Sequence, residues 1–230
     1  MKDEPSGSGD SREIYARREL GAIAARWDAR AKSWDHALED SDCHLNEDDA
    51  YQRFIGVVQR RIARRKQFCA GQGVIDAGCG TGLVLTRVVP AFAWGIGVDI
   101  SPEMVRVAKA KNLPKCNFIV GDCFALPSLC PKAGMIVSRG VLLSHYGREH
   151  GLALLKAVRS ALAAGGFIVF DFLNEAARTQ QQHAPENKTW FTGEEIKTMA
   201  RDAGFSTISI AGKPNRRVLI LVASTDGQTV

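Results

Sequence analysis

Three glycines and three acids in this chain are spaced as a ligand site would need them. The glycines fall in VIDAGCGTG, Val74 to Gly82, where Gly78, Gly80 and Gly82 alternate directly after a short apolar run that contains Asp76. Glycine in such a loop permits positive φ and removes the Cβ that would hold a ligand off the backbone. Asp76 suits an amine-bearing or cationic ligand and would repel a pyrophosphate. Two more acids close later apolar runs, Asp99 in GVDIS and Asp122 in VGDCFALP. A carboxylate so placed can accept from two neighbouring hydroxyls. Downstream, SRGVLLSHYG collects Ser138, Arg139, His145 and Tyr146. An imidazole titrating near ~6.5 suits proton removal at neutral pH, and a guanidinium steadies a phenolate or carboxylate.

Positioning these groups requires a scaffold, and the chain from Gly73 onward supplies its pattern. Short apolar runs alternate with helical stretches: VIDAG, WGIGVDI, NFIVGD, AGMIVSRG and GGFIVFDF are separated by segments with helical periodicity. Such alternation implies crossover units and a parallel sheet with helices on both faces. FSTISI and RVLILVAS, which end the series, are joined by too few residues for a crossover helix, so they are expected to pair antiparallel. In an open sheet of this kind ligands bind at the carboxyl ends of the strands, where the strand order reverses. The glycine loop and the acids fall at such ends.

The region before Gly73 has a different texture. Residues 1–11 are polar and rich in Gly and Ser, and a disordered tail is expected there. Residues 12–70 read as helical, broken by the polar EDSDCHLNEDD, and repeat an aromatic-Asp pair at Trp27-Asp28 and Trp34-Asp35. The chain has 230 residues, 45% hydrophobic and 24% charged, enough for one large domain with a sizeable core. No window is long and apolar enough for a membrane span. The N-terminus lacks the apolar stretch of a secretory signal, so a cytoplasmic location is expected. The 6 cysteines show no zinc spacing with the 5 histidines and fit reduced thiols. The net charge of +5 owes much to QRRIARRK, Gln59 to Lys66, whose arginines fit the solvated face of a helix.

With these motifs in order, residues 71–230 resemble the class I S-adenosylmethionine-dependent methyltransferases, of the small-molecule type. VIDAGCGTG resembles their first motif, GVDIS their second, VGDCFALP their third, and LAAGGFIVFDF the turn and fifth strand. The resemblance implies a doubly wound, mostly parallel seven-stranded sheet (Rossmann-like, α/β) with a C-terminal antiparallel hairpin. It implies S-adenosylmethionine as cofactor and S-adenosylhomocysteine as product. Asp76, Gly78 and Gly80 would line the methionine end and Asp99 would hold the ribose diol, with Ile100 and Met104 beside it. Asp122 and Cys123 would read the adenine, and Ser138 or Arg139 would offer its carbonyl to the amino group. Residues 12–70 resemble a helical lid, with Trp34 packed over the cofactor.

For the acceptor, the segment after strand four lines the methyl-transfer site in that family, which makes His145 the candidate base and Arg139 its partner. No metal is implied. A small-molecule acceptor is expected, an aromatic or phenolic compound methylated at oxygen or carbon, or alternatively a small amine. The N/D-P-P-Y signature of nucleic-acid amino methyltransferases is missing, which argues against nucleic acid; the basic helix keeps RNA and protein as alternatives. A nicotinamide enzyme is disfavoured because Leu83 stands where its third glycine would fall. A catalytically silent cofactor-binding subunit is a further alternative, and the chain is expected to be a monomer or homodimer. The long polar stretch Asn174 to Trp190 is assigned to the acceptor mouth.

Overall fold

The computed structural model describes residues 21–34, 50–140, 142–180 and 188–227. The expected tail, 1–11, and the polar break, 39–49, lie outside the described residues, as do parts of the 12–70 segment and of the 174–190 connection. What is described of the N-terminal segment is helical over 21–28. Two helices follow, α1 (Ala50–Arg64) and α2 (Lys66–Ala70). The αβ series is β1 (Gly73–Ala77), α3 (Leu83–Val88), β2 (Trp94–Asp99), α4 (Pro102–Ala110) and β3 (Cys116–Val120). It continues with α5 (Leu126–Leu129), β4 (Ala133–Ser138), α6 (Arg148–Ser160) and β5 (Leu162–Leu173), then α7 (Gly193–Asp202), β6 (Thr207–Ala211) and β7 (Val218–Ser224).

The seven strands form one sheet in the order β3-β2-β1-β4-β5-β7-β6. Pairing is parallel from β3 to β5, and β7 runs antiparallel to both β5 and β6. The hairpin expected from the short connection is therefore present, with its second strand placed inside the sheet. Burial explains the choice. VLILVAS of β7 is buried from Leu219 to Ser224, whereas TISIA of β6 is half-buried throughout and takes the edge.

Each sheet face carries its own apolar layer, because successive strand residues point to opposite sides. One layer joins Ile75, Ile136, Ile168 and Phe170 to Leu154, Leu155 and Val158 of α6 and Ile196 and Ala200 of α7. The other joins Val74, Met135, Val137 and Val169 to Phe54, Val58 and Ile62 of α1, Leu85 and Val88 of α3, and Val105 of α4. Strand order reverses between β1 and β4, so the loops after β1, β2, β3 and β4 gather on one rim. Arg64 and Arg65 close α1 at a distance from that rim, where Arg65 pairs with Asp226 at 3.1 Å.

Candidate active site at the strand-order reversal

The glycine loop is folded by its own backbone needs. Gly78, Gly80 and Gly82 have φ of 72°, 52° and 81°, a region that side chains disfavour. The Gly78 and Cys79 amides both donate to Val98 O, at 2.8 and 3.1 Å, which ties the loop to β2. The glycines differ in what they spare. A Cβ on Gly82 would stand 2.9 Å from the Phe118 ring, so Gly82 serves packing. A Cβ on Gly80 would meet nothing nearer than Trp34 Nε1 at 3.6 Å, so Gly80 faces the space beneath the N-terminal segment.

Asp99 organises the rim. Its Oδ2 accepts from the Gly80 amide at 2.8 Å and its Oδ1 from the Ser101 amide at 2.9 Å. The carboxyl is 8% exposed; burial raises its pKa, and the Ser101 and Gly80 amides pull it back. Ser101 caps the next helix: its Oγ accepts from Met104 N at 3.1 Å and starts α4. Ile100 is half-buried beside it, and Met104 is buried one turn on.

Asp76 has a different environment. It is 1% exposed, and its Oδ2 has no hydrogen-bond partner among the described residues. Burial, and then the neighbouring Asp99, push its pKa up to about 8. A buried carboxyl oxygen left without a donor is costly, and an amine or ammonium would supply what Oδ2 lacks. An unpartnered acid and a loop with no Cβ at Gly80 are the features a cofactor with an amino-acid end requires, so the residues present fit S-adenosylmethionine.

Asp122 caps the short turn Cys123–Ala125, accepting from Phe124 N at 3.0 Å. The buried Cys79 and Cys123 thiols are pushed well above their ordinary range by burial, so both remain protonated. Ser138 Oγ donates to Ala77 O at 2.7 Å and locks the end of β4 to β1.

The acceptor candidates keep different side-chain partners. Arg139 lies over the Tyr51 ring, 5.7 Å from its centroid, and Tyr51 Oη donates to Leu83 O at 3.1 Å. His145 is half-buried against other partners: Lys188 Nζ lies 2.5 Å from Nδ1 and 2.8 Å from Nε2, and the Trp27 ring is 5.8 Å away. Burial, then Lys188 and Arg26, lower the His145 pKa to about 4. The imidazole is thus neutral at neutral pH, without the titration near its ordinary value that the sequence suggests. Tyr146 stacks edge-on against Phe124 at 5.1 Å, and burial pushes its hydroxyl well above the usual range.

Several positioning residues carry no sequence signal. Asp171 of β5 accepts from Gly140 N at 3.0 and 3.2 Å, which shapes the loop after β4. Ser144 Oγ accepts from Leu173 N at 2.9 Å, and Ser144 O from Thr189 N at 2.8 Å. Lys188 reaches His145 from 43 residues along the chain. From the N-terminal segment, Asp28 Oδ1 accepts from Ser101 Oγ and, at 3.1 Å, from Glu103 N. That segment also brings Trp27 edge-on to Trp34 at 5.3 Å, with Trp34 beside Gly80.

Comparison with known proteins gives a domain match over part of the chain and a shared fold. Residues 74–166 match the family model of a methyltransferase domain. The ubiquinone biosynthesis O-methyltransferase of Idiomarina loihiensis is 30% identical over 112 residues, covering 47% of this chain and 45% of that protein. The magnesium-protoporphyrin O-methyltransferase of Rhodobacter capsulatus is 38% identical over 65 residues, 26% of this chain and 29% of that protein. The matches thus span less than half the length of these curated relatives. The crystal structure of magnesium protoporphyrin IX methyltransferase from Synechocystis PCC 6803 with bound S-adenosylhomocysteine shares the fold. Its TM-score is 0.71 at 19% identity, over 90% of this chain and 99% of that one. Residues 74–166 thus match a methyltransferase domain, within a fold that the chain shares with that crystal structure. Among the described residues, no helix is long and apolar enough to cross a membrane.

Proposed function

We propose that the protein transfers a methyl group from S-adenosylmethionine to a small aromatic acceptor, at a hydroxyl oxygen or the carbon it activates. The observation that carries the first half is the convergence at one rim of an unpartnered Asp76, a positive-φ Gly80 and the Asp99 carboxylate. When bound, S-adenosylmethionine supplies a methyl on cationic sulfur, which needs alignment more than activation. Asp76 would then receive the ammonium, Asp99 the ribose hydroxyls, and Asp122 with the Cys123 amide the adenine. Trp34, beside Gly80, would cover the site and exclude water. The two O-methyltransferases among the relatives support oxygen as the acceptor atom.

In this proposal His145 takes the acceptor's proton. A neutral imidazole has one nitrogen that can accept it once Lys188 gives way, and its neighbours are the residues that adjust its strength. Arg139 would steady the anion from the Tyr51 side. One observation favours a second reading: an imidazole held near about 4 is a weak base, and an amine arriving uncharged needs none. Calorimetry with S-adenosylmethionine, S-adenosylhomocysteine and NAD tests the cofactor. Binding of NAD alone would end the proposal. Tritiated methyl transfer to pools of phenols and of amines then separates the two acceptors.

A further inference from the structure

Cations gather around His145 with no described carboxylate to balance them. Lys188 Nζ sits against both ring nitrogens, and its pKa is lowered to about 8 by burial, then by Arg26 and Arg30. Arg30 lies over the Trp27 ring at 5.4 Å, and Trp27 in turn flanks His145. A groove of about 410 Å³ opens from this point, lined by Lys188, Thr189 and Trp190. Its two acids are already taken: Glu195 pairs with Arg148 at 2.7 Å and Glu175 with Arg178 at 3.7 Å. Asp28, on the same segment as Arg26 and Arg30, is engaged with Ser101 and Glu103.

A second observation is independent of charge. Trp190 is 2% exposed, and its indole N–H has no acceptor among the described residues. An indole nitrogen can only donate, and a buried donor without an acceptor is destabilising until something supplies an oxygen. Lys188 and Trp190 line the same groove, so its one wall carries positive charge and has an unanswered donor buried directly behind it.

We propose that Lys188, Arg26, Arg30 and the Trp190 indole form the seat for a carboxylate carried by the methyl acceptor. This rests on the methyltransferase reading and adds a specificity group to it. A carboxylate accepts from several donors at once, and its bonds to cationic donors are the strong ones; Lys188 is half-buried, with the exposed Arg26 and Arg30 at the edge. The aromatic face of Trp27 beside the cations fits an organic acid with an aromatic body better than a small hydrated anion. The seat also couples to chemistry. Burial does most to keep His145 unprotonated, and Lys188 and Arg26 add to it; an anion beside Lys188 offsets that added part, so the bound acceptor strengthens its own base.

Benzoate and its neutral counterpart benzamide are the probes, applied to the full chain saturated with S-adenosylhomocysteine. Binding is followed by the His145 ring proton signal, assigned with His145→Gln. Benzoate is expected to bind at least about tenfold more tightly than benzamide, an advantage that Lys188→Met removes and Lys188→Arg keeps. Without benzoate the His145 signal should be flat from about pH 5 to about pH 7, below the titration of Lys188, and with it the signal should begin to titrate in that range. Equal binding of the two probes, or a benzoate preference that survives in Lys188→Met, overturns the seat. The probe comparison on the unmodified chain decides the matter even if Lys188→Met does not fold. S-adenosylhomocysteine calorimetry separates the two levels: normal cofactor binding without benzoate selectivity removes the seat alone, whereas failed cofactor binding removes the methyltransferase reading.

Discussion

Replacing Asp99 should damage cofactor binding and loop geometry by separable amounts. Each carboxylate oxygen already holds one backbone amide, Gly80 N at 2.8 Å and Ser101 N at 2.9 Å. Asp99→Ala leaves both donors without that partner in a site where the side chain was 8% exposed, costing ~1–3 kcal/mol of stability for each. The ribose hydroxyls would donate to the remaining lone pairs, and a hydrogen bond to a charged group is worth ~1.5–3 kcal/mol. Loss of one such bond weakens S-adenosylhomocysteine binding ~10- to 150-fold. Thermal unfolding measures the first effect and calorimetry the second. The 2′-deoxy form of the ligand completes a double-mutant cycle: it should bind the wild type poorly, and Asp99→Ala should penalise it far less than the parent ligand. Wild-type affinity in Asp99→Ala, or equal penalties for both ligands, would refute the assignment of Asp99 to the ribose and leave it as a loop anchor.

The two glycines should respond oppositely. Gly80→Ala meets only ordinary contacts and should keep most of its stability while losing cofactor affinity; Gly82→Ala, pressed against Phe118 at 2.9 Å, should show its loss in unfolding temperature. Asp76 has a folded pKa of about 8 against 3.8 for the free group. The folded protein therefore holds a proton there that the unfolded chain has released, so stability without cofactor should fall as pH rises from about 4 to about 8. Binding an ammonium at Asp76 favours ionisation, so cofactor binding at pH ~7 should release a proton, detectable by calorimetry in buffers of different ionisation enthalpy. His145→Ala should lower turnover of a phenolic acceptor ~10²–10⁴-fold with little change in cofactor affinity. Because its pKa lies at about 4, kcat/KM should show no His145 step near neutrality; a rise centred near ~6.5 would mean the imidazole is not held by Lys188 in solution. Asp28→Ala breaks the bond from the N-terminal segment to Ser101 and should weaken cofactor binding several-fold, ~1 kcal/mol, without unfolding the sheet.

The rim proposed for the cofactor was legible as a place in the fold because it is built from local segments. Gly78, Gly80, Asp99 and Asp122 each sit at the end of an apolar strand, and a strand's direction fixes which rim its end occupies. The sheet's parallel pattern was readable for the same reason, since the alternation of short apolar and amphipathic runs follows from side-chain periodicity. The insertion of β7 between β5 and β6 was not, because a short connection specifies antiparallel pairing but not which neighbour the second strand takes. That depended on which strand could bury both faces.

The surroundings of the residues proposed for the acceptor lay beyond sequence reasoning. His145 was visible as a residue type, but its strength is set by burial and by Lys188, Arg26 and Arg30, which come from elements far apart in the chain. The same holds for Asp171 under Gly140 and for Asp28 on Ser101, whose roles exist only as contacts. Residue type and spacing carry information about backbone path and intrinsic chemistry. The electrostatic environment falls off over a few ångströms of space, so only the folded chain determines which charges share it.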